Sequence, residues 1–290
     1  MYPIGYHNQT TSIETIVHDI LDKYRVDYEC NNRTILNGKE LDVYIPSHKL
    51  AIECNGVYWH SSEVVNNNKQ HYNKWKECND LGLQLLTLWE DQIINQPQII
   101  ESIICSKLGI YKKRIGARQC QIREVSAVEC KQFLECNHLQ GSINSKIRYG
   151  LYYNNELQSI MTFGMKRRCM GGRDEWELHR YCCKMGVQVI GGAKRLFMHF
   201  INTIHPTTIE SFSSNDISNG DLYKKLGFEF YSNSISYWYI KNMKRYHRYS
   251  FSKHTLVAMG YDKNLSESQI MKENHYYKIF DSGQSKWIWK

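Results

Sequence analysis

The feature that most constrains the fold is an alternation of apolar and polar residues that runs from Glu40 to Asn55. The alternation has a period of two on both sides of the turn-like segment 46–49, which predicts a β-hairpin with a four-residue loop. One face of this hairpin is wholly apolar, and the other face carries two opposed carboxylates. The predicted register pairs Ile45 with Leu50, Tyr44 with Ala51, Val43 with Ile52, Asp42 with Glu53, Leu41 with Cys54 and Glu40 with Asn55.

The opposed carboxylates of Asp42 and Glu53 are the unusual feature of this hairpin. Residues directly opposite each other on neighbouring strands have Cβ atoms roughly 5 Å apart, so two like charges there repel. At 4 Å the repulsion is about 4 kcal/mol for an effective dielectric constant near 20. A cation between the two groups removes this cost, and carboxylate oxygens suit Mg²⁺, which can activate water against a phosphodiester. The alternative is a solvated strand face on which the two charges splay apart.

The wider motif resembles that of a known nuclease superfamily. Asp42, Glu53 and Asn55 on a hairpin resemble the core of PD-(D/E)XK nucleases, with Asn55 where many members have Lys. The longer string, from Glu40 through to Trp59-His60, resembles phage homing endonucleases of the E-D-x-H-D class, relatives of the very-short-patch repair endonucleases. This resemblance covers about the first third of the chain. It implies a metal-dependent, site-specific DNA endonuclease that hydrolyses phosphodiester bonds.

The resemblance also implies roles for individual residues. Asp42 and Glu53 would hold Mg²⁺, with Mn²⁺ as the alternative metal. His71, at the start of a predicted helix over 69–81, matches the catalytic histidine that orients or deprotonates the attacking water. The alternative for this histidine is a packed or exposed side chain without a role in catalysis. The remaining candidate catalytic residues are Glu14, His60, Asn55 and Asp91.

Each of these remaining candidates has its own argument. Glu14 lies in the first turn of a predicted helix, where an acid is also favoured by the helix dipole alone. His60 is the alternative to His71 for the role of catalytic histidine. Asn55 would act as a polar donor in the position where many members of the superfamily have Lys. Asp91 is the candidate for the last acid of the family motif. Glu90 is its rival, because a one-residue slip would exchange the faces of the two side chains.

The element order of the first part fits a nuclease fold of the α/β (α+β) class. Helical spacing predicts one helix that Ser12 can cap, a second over 69–81 and a third over 97–108. A near-continuous apolar run over 84–89 predicts a strand buried on both faces. The predicted order is therefore helix, hairpin, helix, strand and helix.

A second pattern begins after a basic linker near residue 115. Strands are predicted over 149–153, 158–163 and 176–181, and a glycine loop then opens an apolar-striped helix. Such a loop exposes backbone N–H groups at the positive end of the helix dipole, which suits phosphate. The residues of this candidate CoA or phosphate loop, together with a late tyrosine, are Gln188, Gly191, Gly192, Ala193 and Tyr223.

This second pattern resembles the GNAT acyltransferases, and more closely the GNAT-like Mom family of DNA-modifying proteins. The resemblance implies a split sheet and an acyl-CoA cleft, with Tyr223 as general acid. However, Lys166, Arg167, Arg168 and Arg173 crowd one predicted loop and suit nucleic acid as well as CoA. We therefore expect a DNA-gripping domain without acyl-CoA, with an active acyltransferase as the alternative.

The C-terminal part is basic and rich in aromatic residues. Cations alternate with Tyr246, Tyr249 and Phe251, which is typical of a segment that follows phosphates and stacks on bases. The alternative is an ordinary solvated linker. A final hairpin is predicted from strands over 276–280 and 286–289. The candidate DNA-binding cations of this part are Lys244, Arg245, Arg248 and Lys253.

The sequence thus predicts three segments: a nuclease-like domain over 1–115, a GNAT-like domain over 116–242 and a basic tail over 243–290. The net charge of +8 favours a polyanionic partner, and the resemblance implies that this partner is double-stranded DNA. Ten cysteines without a CxxC pair, and no signal peptide or long apolar run, predict a cytosolic protein without a membrane. The resemblance implies that it is phage-encoded and acts in the host cytoplasm, as a monomer or a homodimer. The alternative functions are an acyl-CoA-dependent DNA-modifying acyltransferase and a DNA-binding protein without catalysis.

Overall fold

The computed structural model describes residues 11–57, 67–166 and 174–290. In chain order its helices and strands are α1 (Ser12–Lys23), β1 (Glu29–Leu36), β2 (Lys39–Ile45), β3 (Leu50–Asn55), α2 (Gln70–Asp80), β4 (Gln84–Trp89), α3 (Glu90–Asn95), α4 (Pro97–Lys107), β5 (Lys113–Gly116), β6 (Gln121–Glu124), α5 (Ala127–Asn137), β7 (Ile147–Tyr153), β8 (Glu156–Met165), β9 (Glu175–Cys183), β10 (Val187–Ile190), α6 (Gly192–Ile204), β11 (Thr208–Ser214), α7 (Asp221–Leu226), β12 (Glu229–Ser234), β13 (Tyr237–Lys241), β14 (Lys244–His247), α8 (Lys253–Ala258), α9 (Glu267–Glu273), β15 (Tyr277–Phe280) and β16 (Gln284–Trp289). The fold is a mixed α/β arrangement with several sheets, as the sequence predicted.

The chain forms two compact units that each draw on separate parts of the sequence. The first unit combines the residues up to Pro97 with Ser236–Ser282, and the second combines Gln98–Ile235 with Gly283–Lys290. This division differs from the three predicted segments 1–115, 116–242 and 243–290. The reason is that β13 and β15 pack on the first unit, whereas β16 returns to the sheet of the second.

The first unit is built on a four-stranded sheet with the order β1-β2-β3-β4. The predicted hairpin is present as β2 and β3, and the pairs Ile45–Leu50, Tyr44–Ala51 and Val43–Ile52 have the predicted register. The ladder of this hairpin ends there, so the other three predicted pairs are not backbone pairs. β4 lies parallel to β3 and carries a run of buried residues, as its sequence predicted.

Helix α2 covers one face of this sheet. Trp75 and Cys78 on the helix are buried against Leu41, Ala51 and other apolar side chains of the strands. Helix α1 is capped by Thr11, whose hydroxyl accepts a hydrogen bond from Glu14 N at 3.3 Å. The sequence had predicted Ser12 as the cap, and Ser12 is instead the first helical residue. α1 and α2 therefore begin within one residue of their predicted positions.

A second, three-stranded sheet completes the first unit. Its strands have the order β14-β13-β15, and all of its pairings are antiparallel. Ile240 and Ile279 from this sheet share a small core with Val57 and Trp89. The C-terminal strands of the chain thereby contribute to the same unit as the predicted nuclease hairpin.

The second unit contains a seven-stranded sheet with the order β12-β16-β11-β9-β8-β7-β6. β9 and β11 run parallel, but they pair only from Glu175 to Leu178 on β9, so the two strands separate beyond that point. Helix α6 packs its apolar stripe, including Phe197 and Phe200, against the core of the sheet. Strands predicted over 149–153, 158–163 and 176–181 are present within β7, β8 and β9.

The predicted final hairpin is wrong, because its two strands lie in different sheets. β15 pairs with β13, whereas β16 inserts between β11 and β12 and runs antiparallel to both. A short sequence of strand, Gly turn and strand has the local pattern of a hairpin, and only the long-range partners show the difference. No helix in the described ranges is long and apolar enough to cross a lipid bilayer.

Gly220 provides a test of the second unit's packing. Its φ is +79°, and a Cβ atom there would overlap the indole of buried Trp287. Gly220→Ala should therefore lower the melting temperature of the second unit far more than Gly109→Ala, which has φ of +69° but open space around its Cβ position. Both variants carry the left-handed backbone cost of about 1–2 kcal/mol, so their difference isolates the overlap. Equal melting temperatures would contradict the packing of Trp287.

Candidate active site

Two buried carboxylates lie together at the end of the β2–β3 ladder. Asp42 Oδ2 accepts a hydrogen bond from Cys54 N at 2.8 Å, and Glu53 Oε1 lies 3.4 Å from Asp42 N. These two side-chain contacts take the place of the backbone bonds that the predicted register required. Glu53 is only 6% exposed, which is rare for a glutamate. The two carboxylates are therefore adjacent although Asp42 and Glu53 are not a ladder pair.

Lys74 supplies a positive charge to this carboxylate pair. It lies on α2, and its Nζ forms an ion pair with Glu53 Oε2 in a largely buried position. A buried carboxylate without a partner is strongly disfavoured, so this ammonium compensates part of the cost. Lys74 is not among the site residues predicted from the sequence. Its only sequence signal is the i, i+3 spacing from His71, which places both side chains on the same side of the helix.

The electrostatics of the pair follow from burial and mutual repulsion. Burial raises the pKa of Asp42 to about 6, while the Cys54 N–H and Lys74 oppose that rise. Burial also raises the pKa of Glu53 above its usual range, and the negative charge of Asp42 raises it further. Two carboxylates that resist ionisation together favour an additional cation between them.

The donor set fits a hard divalent ion held in part by other ligands. Among the described residues, no group of three or more His, Cys, Asp or Glu side chains is arranged to hold a metal ion. Two carboxylates alone suit Mg²⁺, which is commonly bound by one or two protein carboxylates together with water and substrate phosphate. Mn²⁺ accepts the same oxygen ligands.

Asn55 adds an unpaired donor beside the carboxylates. It follows Glu53 by two residues on β3, so both side chains point to the same face of the strand. Asn55 is 3% exposed, and its Nδ2 has no hydrogen-bond partner within the described parts of the chain. A buried N–H group without a partner is costly, and an incoming anionic oxygen would satisfy it.

His71 is held in its neutral form. Burial lowers the pKa of His71 to about 4, and the nearby charge of Lys74 acts in the same direction. The imidazole packs edge-on against Trp89, with ring centroids 5.1 Å apart. A neutral imidazole can accept a proton at physiological pH. His71 thus lies on the same helix as Lys74, and its imidazole is neutral, as a general base has to be before it accepts a proton.

Glu14 lies near the carboxylate pair at the start of α1. Its charge contributes to the raised pKa of Asp42 and of Cys54, which places it within electrostatic range of both. Its side chain also accepts a hydrogen bond from Thr11 Oγ1 at 2.7 Å. Glu14 therefore combines the local capping role with proximity to the site.

The two rival acids after β4 have separate partners. Glu90 Oε2 accepts a hydrogen bond from Val57 N at 3.0 Å. Both carboxylate oxygens of Asp91 lie within 3.0 Å of Arg245 Nε. Glu90 and Asp91 open helix α3 rather than end the strand. Asp91 thus sits in an ion pair with the C-terminal segment.

An open cavity of about 410 Å³ borders the site on the Lys74 side. Its lining is polar and combines two cations, one acid and three side-chain amides. These residues are Lys39, Glu40, Asn67, Gln70, Asn73 and Lys74. Lys74 therefore stands between the carboxylate pair and this cavity.

Four predicted site residues lie outside the described residues. They are His60, from the nuclease motif, and the loop cations Arg167, Arg168 and Arg173. Lys166 of the same cation cluster is described, and its Nζ forms ion pairs with Glu175 and Glu210.

The cations of the C-terminal segment differ in their surroundings. Lys244 is exposed, Arg248 is half-buried and lies over the rings of Tyr237 and Tyr249, and Lys253 donates to Asp262 O at 3.3 Å. Arg245 differs from them, because its side chain is only 6% exposed and is paired with Asp91. Arg245, predicted to contact DNA, is therefore turned into the protein.

The glycine loop of the second unit opens α6 as the sequence predicted. Gly191 has φ of +75° and caps the helix without a side-chain hydrogen bond. In addition, β5 pairs in parallel with β10, with Gln188 opposite Arg114. Protein groups thus occupy part of the surface where a phosphate was predicted.

Tyr223 lies where β9 and β11 separate. Its hydroxyl is 3.1 Å from Ser211 Oγ and 3.4 Å from Phe212 O, and its ring stacks on Trp287. Burial raises the pKa of Tyr223, while Ser211 and the charge of Arg180 oppose that rise. The hydroxyl of Tyr223, the residue predicted as a general acid, is thus anchored within the sheet.

Comparisons with solved structures find similarity to two kinds of protein. The catalytic domain of the homing endonuclease I-Bth0305I has 29% identity over 34% of this chain and 96% of that chain, with a TM-score of 0.30. An acetyltransferase from Bacillus subtilis, solved in complex with CoA, has 17% identity over 58% of this chain and 97% of that chain, with a TM-score of 0.35. The ribosomal-protein-S18-alanine N-acetyltransferase from Escherichia coli has 16% identity over 40% of this chain and 81% of that chain, with a TM-score of 0.33.

No family model matches the sequence, and no curated protein matches it. The chain is therefore similar to a homing endonuclease domain in one part and to GNAT acetyltransferases in another.

Removal of the Asp42 charge should stabilise the first unit at high pH. The folded protein binds the Asp42 proton more tightly than the unfolded chain, so stability falls as pH rises from about 4 to 6. Asp42→Asn should raise the melting temperature in EDTA at pH 8, by about 2–4 °C per kcal/mol relieved, and have no such effect near pH 4. Asp80→Asn, at an exposed acid of α2, is the control. A lower melting temperature for Asp42→Asn at pH 8 would contradict the raised pKa.

Proposed function

We propose that the protein is a metal-dependent DNA endonuclease of the homing type. The observation that carries this proposal is the buried Asp42–Glu53 pair, whose burial Lys74 and the Cys54 N–H compensate only in part. A fold gains nothing in stability from two adjacent buried acids, whereas a phosphodiesterase needs such a pair. The similarity of the first part of the chain to a homing endonuclease domain agrees with this proposal.

The residues of the site divide the work of phosphodiester hydrolysis. Mg²⁺ held by Asp42 and Glu53 would supply activation of water and neutralisation of charge on the phosphate. His71, which is neutral at physiological pH, accepts a proton from the attacking water or orients it. Asn55 Nδ2 donates to a phosphate oxygen, which satisfies its hydrogen-bonding capacity.

Lys74 supplies the cation of the usual Lys in the nuclease motif, a position that the sequence had assigned to Asn55 alone. Its ammonium reaches Glu53 from α2 and also lines the neighbouring polar cavity. A cation in this place stabilises the negative charge that develops on the phosphate during attack. Glu14 adds negative potential beside Asp42 and so favours a bound cation.

Double-stranded DNA is the proposed substrate, and the C-terminal segment offers a surface that suits it. Arg248 and Lys278 both lie over the ring of Tyr237, at 5.4 and 4.8 Å from its centroid. Tyr249 is 67% exposed and hydrogen-bonds to Arg248 through its hydroxyl. Cations beside exposed aromatic rings contact phosphates and bases, so this surface is the proposed DNA grip of the first unit.

Asp42→Ala is expected to bind DNA without cutting it. The substitution removes a proposed metal ligand but no proposed DNA-contacting cation, so DNA affinity should stay within about threefold while cleavage falls by about 100-fold or more. The measurement is plasmid cleavage in Mg²⁺ and in EDTA, alongside DNA binding in Ca²⁺. Asp80→Ala, which removes an exposed acid of α2, should cut normally. Normal cleavage by Asp42→Ala would refute the proposed site.

An acyl-CoA-dependent modification of DNA is the second candidate function. The separation of β9 and β11 beside Tyr223, and the glycine that opens α6, are the observations in its favour. The pairing of β5 with β10, which places Arg114 opposite Gln188, speaks against a free phosphate loop. We therefore propose that the second unit acts without acyl-CoA.

This view predicts that 1 mM acetyl-CoA will leave the melting temperature of the protein unchanged. A ligand at about 100 times its Kd stabilises a protein by about 2.7 kcal/mol, so even a Kd near 10 μM would give a clear upward shift. Free adenosine 3′,5′-bisphosphate is the matched control for binding of the nucleotide part. An upward shift with acetyl-CoA that the bisphosphate does not reproduce would favour the acyltransferase instead.

A further inference from the structure

Arg245 is the most enclosed cation for which the described structure gives an ion pair. It lies on β14, opposite Ile240 of β13. Its Nε is 2.9 and 3.0 Å from the two carboxylate oxygens of Asp91, on the first turn of α3. The guanidinium also lies between two indoles, 4.9 Å from the centroid of Trp89 and 5.4 Å from that of Trp238. Arg245 thus joins the C-terminal segment to α3. We call the group formed by Arg245, Asp91, Trp89 and Trp238 the clamp.

Further contacts hold the clamp in place on the side of Trp238. Trp238 Nε1 donates to Asp281 Oδ2 at 2.9 Å, and His247 packs edge-on against the Trp238 ring. A planar guanidinium that stacks between rings and pairs with a carboxylate has little freedom to move. Desolvated ion pairs of this kind are weak sources of stability, and they are better understood as devices that define one geometry.

On the side of Trp89, the clamp contacts His71, which is the candidate base. Trp89 is fully buried, and its ring contacts both the Arg245 guanidinium and the imidazole of His71. His71 is in the first turn of α2, so the Trp89 ring forms part of the surface that sets its orientation. The contacts run without a gap from Asp281 through Trp238, Arg245 and Trp89 to His71.

We propose that Arg245 and Asp91 are positioning residues for His71, and that the segment 236–282 is a required part of the nuclease site. The inference rests on the proposed function for the catalytic role of His71. It assigns to Asp91 an anchoring role in place of metal binding, because both of its oxygens face Arg245 Nε. It also assigns Arg245 a task distinct from gripping DNA.

The main test compares cleavage with DNA binding. Arg245→Lys keeps the positive charge but loses the planar stack and the fixed donor geometry, so His71 should be displaced. The single-turnover cleavage rate in Mg²⁺ should fall by about 10- to 100-fold, while the Kd for DNA in Ca²⁺ should stay within about twofold of the wild-type value. Lys272→Met, which removes an exposed cation of the same segment, should leave the rate unchanged. Equal losses of rate and affinity would instead make Arg245 a phosphate contact and overturn the proposal.

A rescue variant separates positioning from simple loss of charge or folding. The double variant Asp91→Asn with Arg245→Gln replaces the ion pair by a neutral amide pair and should recover more of the rate than Asp91→Asn alone, where Arg245 keeps an unpaired buried charge. The melting temperature of each variant is measured in parallel. If the double variant recovers stability but not the cleavage rate, the Asp91–Arg245 pair serves folding only and the positioning role is refuted. Failure of both variants to fold would lead to the same conclusion.

The His71 ring itself provides a readout that does not depend on cleavage. Its Cε1–H signal in the NMR spectrum, assigned with His71→Gln, should shift in Arg245→Lys because the Trp89 ring moves, and should stay in place in Lys272→Met. If the wild-type protein fails to cut DNA but this shift is present, the proposed function fails while the positioning contact stands. If the signal and the rate both match the wild type, the positioning role is refuted.

Discussion

The first unit depends on the burial of two like charges, Asp42 and Glu53, with one ammonium beside them. The energetic cost of this arrangement determines several features around it. The β2–β3 ladder stops where the carboxylates take over backbone N–H groups, and α2 brings Lys74 to Glu53. The same burial that raises the pKa of both acids leaves His71 uncharged. The proposed catalytic arrangement and the electrostatic strain are therefore made by the same set of contacts.

The hairpin could be predicted from the sequence because its alternation, its turn and its register are local properties. Ile45–Leu50 and its two neighbours have the predicted register. The adjacency of Asp42 and Glu53 was also predicted, although it arises from side-chain bonds rather than ladder pairing. Lys74 was missed because a lysine on a polar helix carries no local sign that it is buried. The Asp91–Arg245 pair was missed because residues 154 positions apart leave no shared pattern.

The second unit illustrates how a correct local prediction can leave function open. The glycine loop, the helix and the separated parallel strands are all present where the sequence placed them. What the sequence could not supply is the neighbour of each group. The edge of β10 before the glycine loop is paired with β5. A motif therefore specifies a backbone shape, and the surrounding side chains decide whether a ligand can use it.

The path of the chain through the seven-stranded sheet has a further consequence. The chain leaves the sheet after β12 and returns as β16, and at this point a Cβ on Gly283 would lie 2.5 Å from Ser234 O. The segment Ser236–Ser282, which belongs to the first unit, is thus an excursion of the chain with adjoining ends, which is the form in which one domain is inserted into another. Neither unit is a continuous stretch of sequence, so a fragment that ends near residue 97 lacks the sheet that carries Arg245. Recombination that exchanged one whole unit between two such proteins would therefore need breakpoints at every place where the chain passes from one unit to the other.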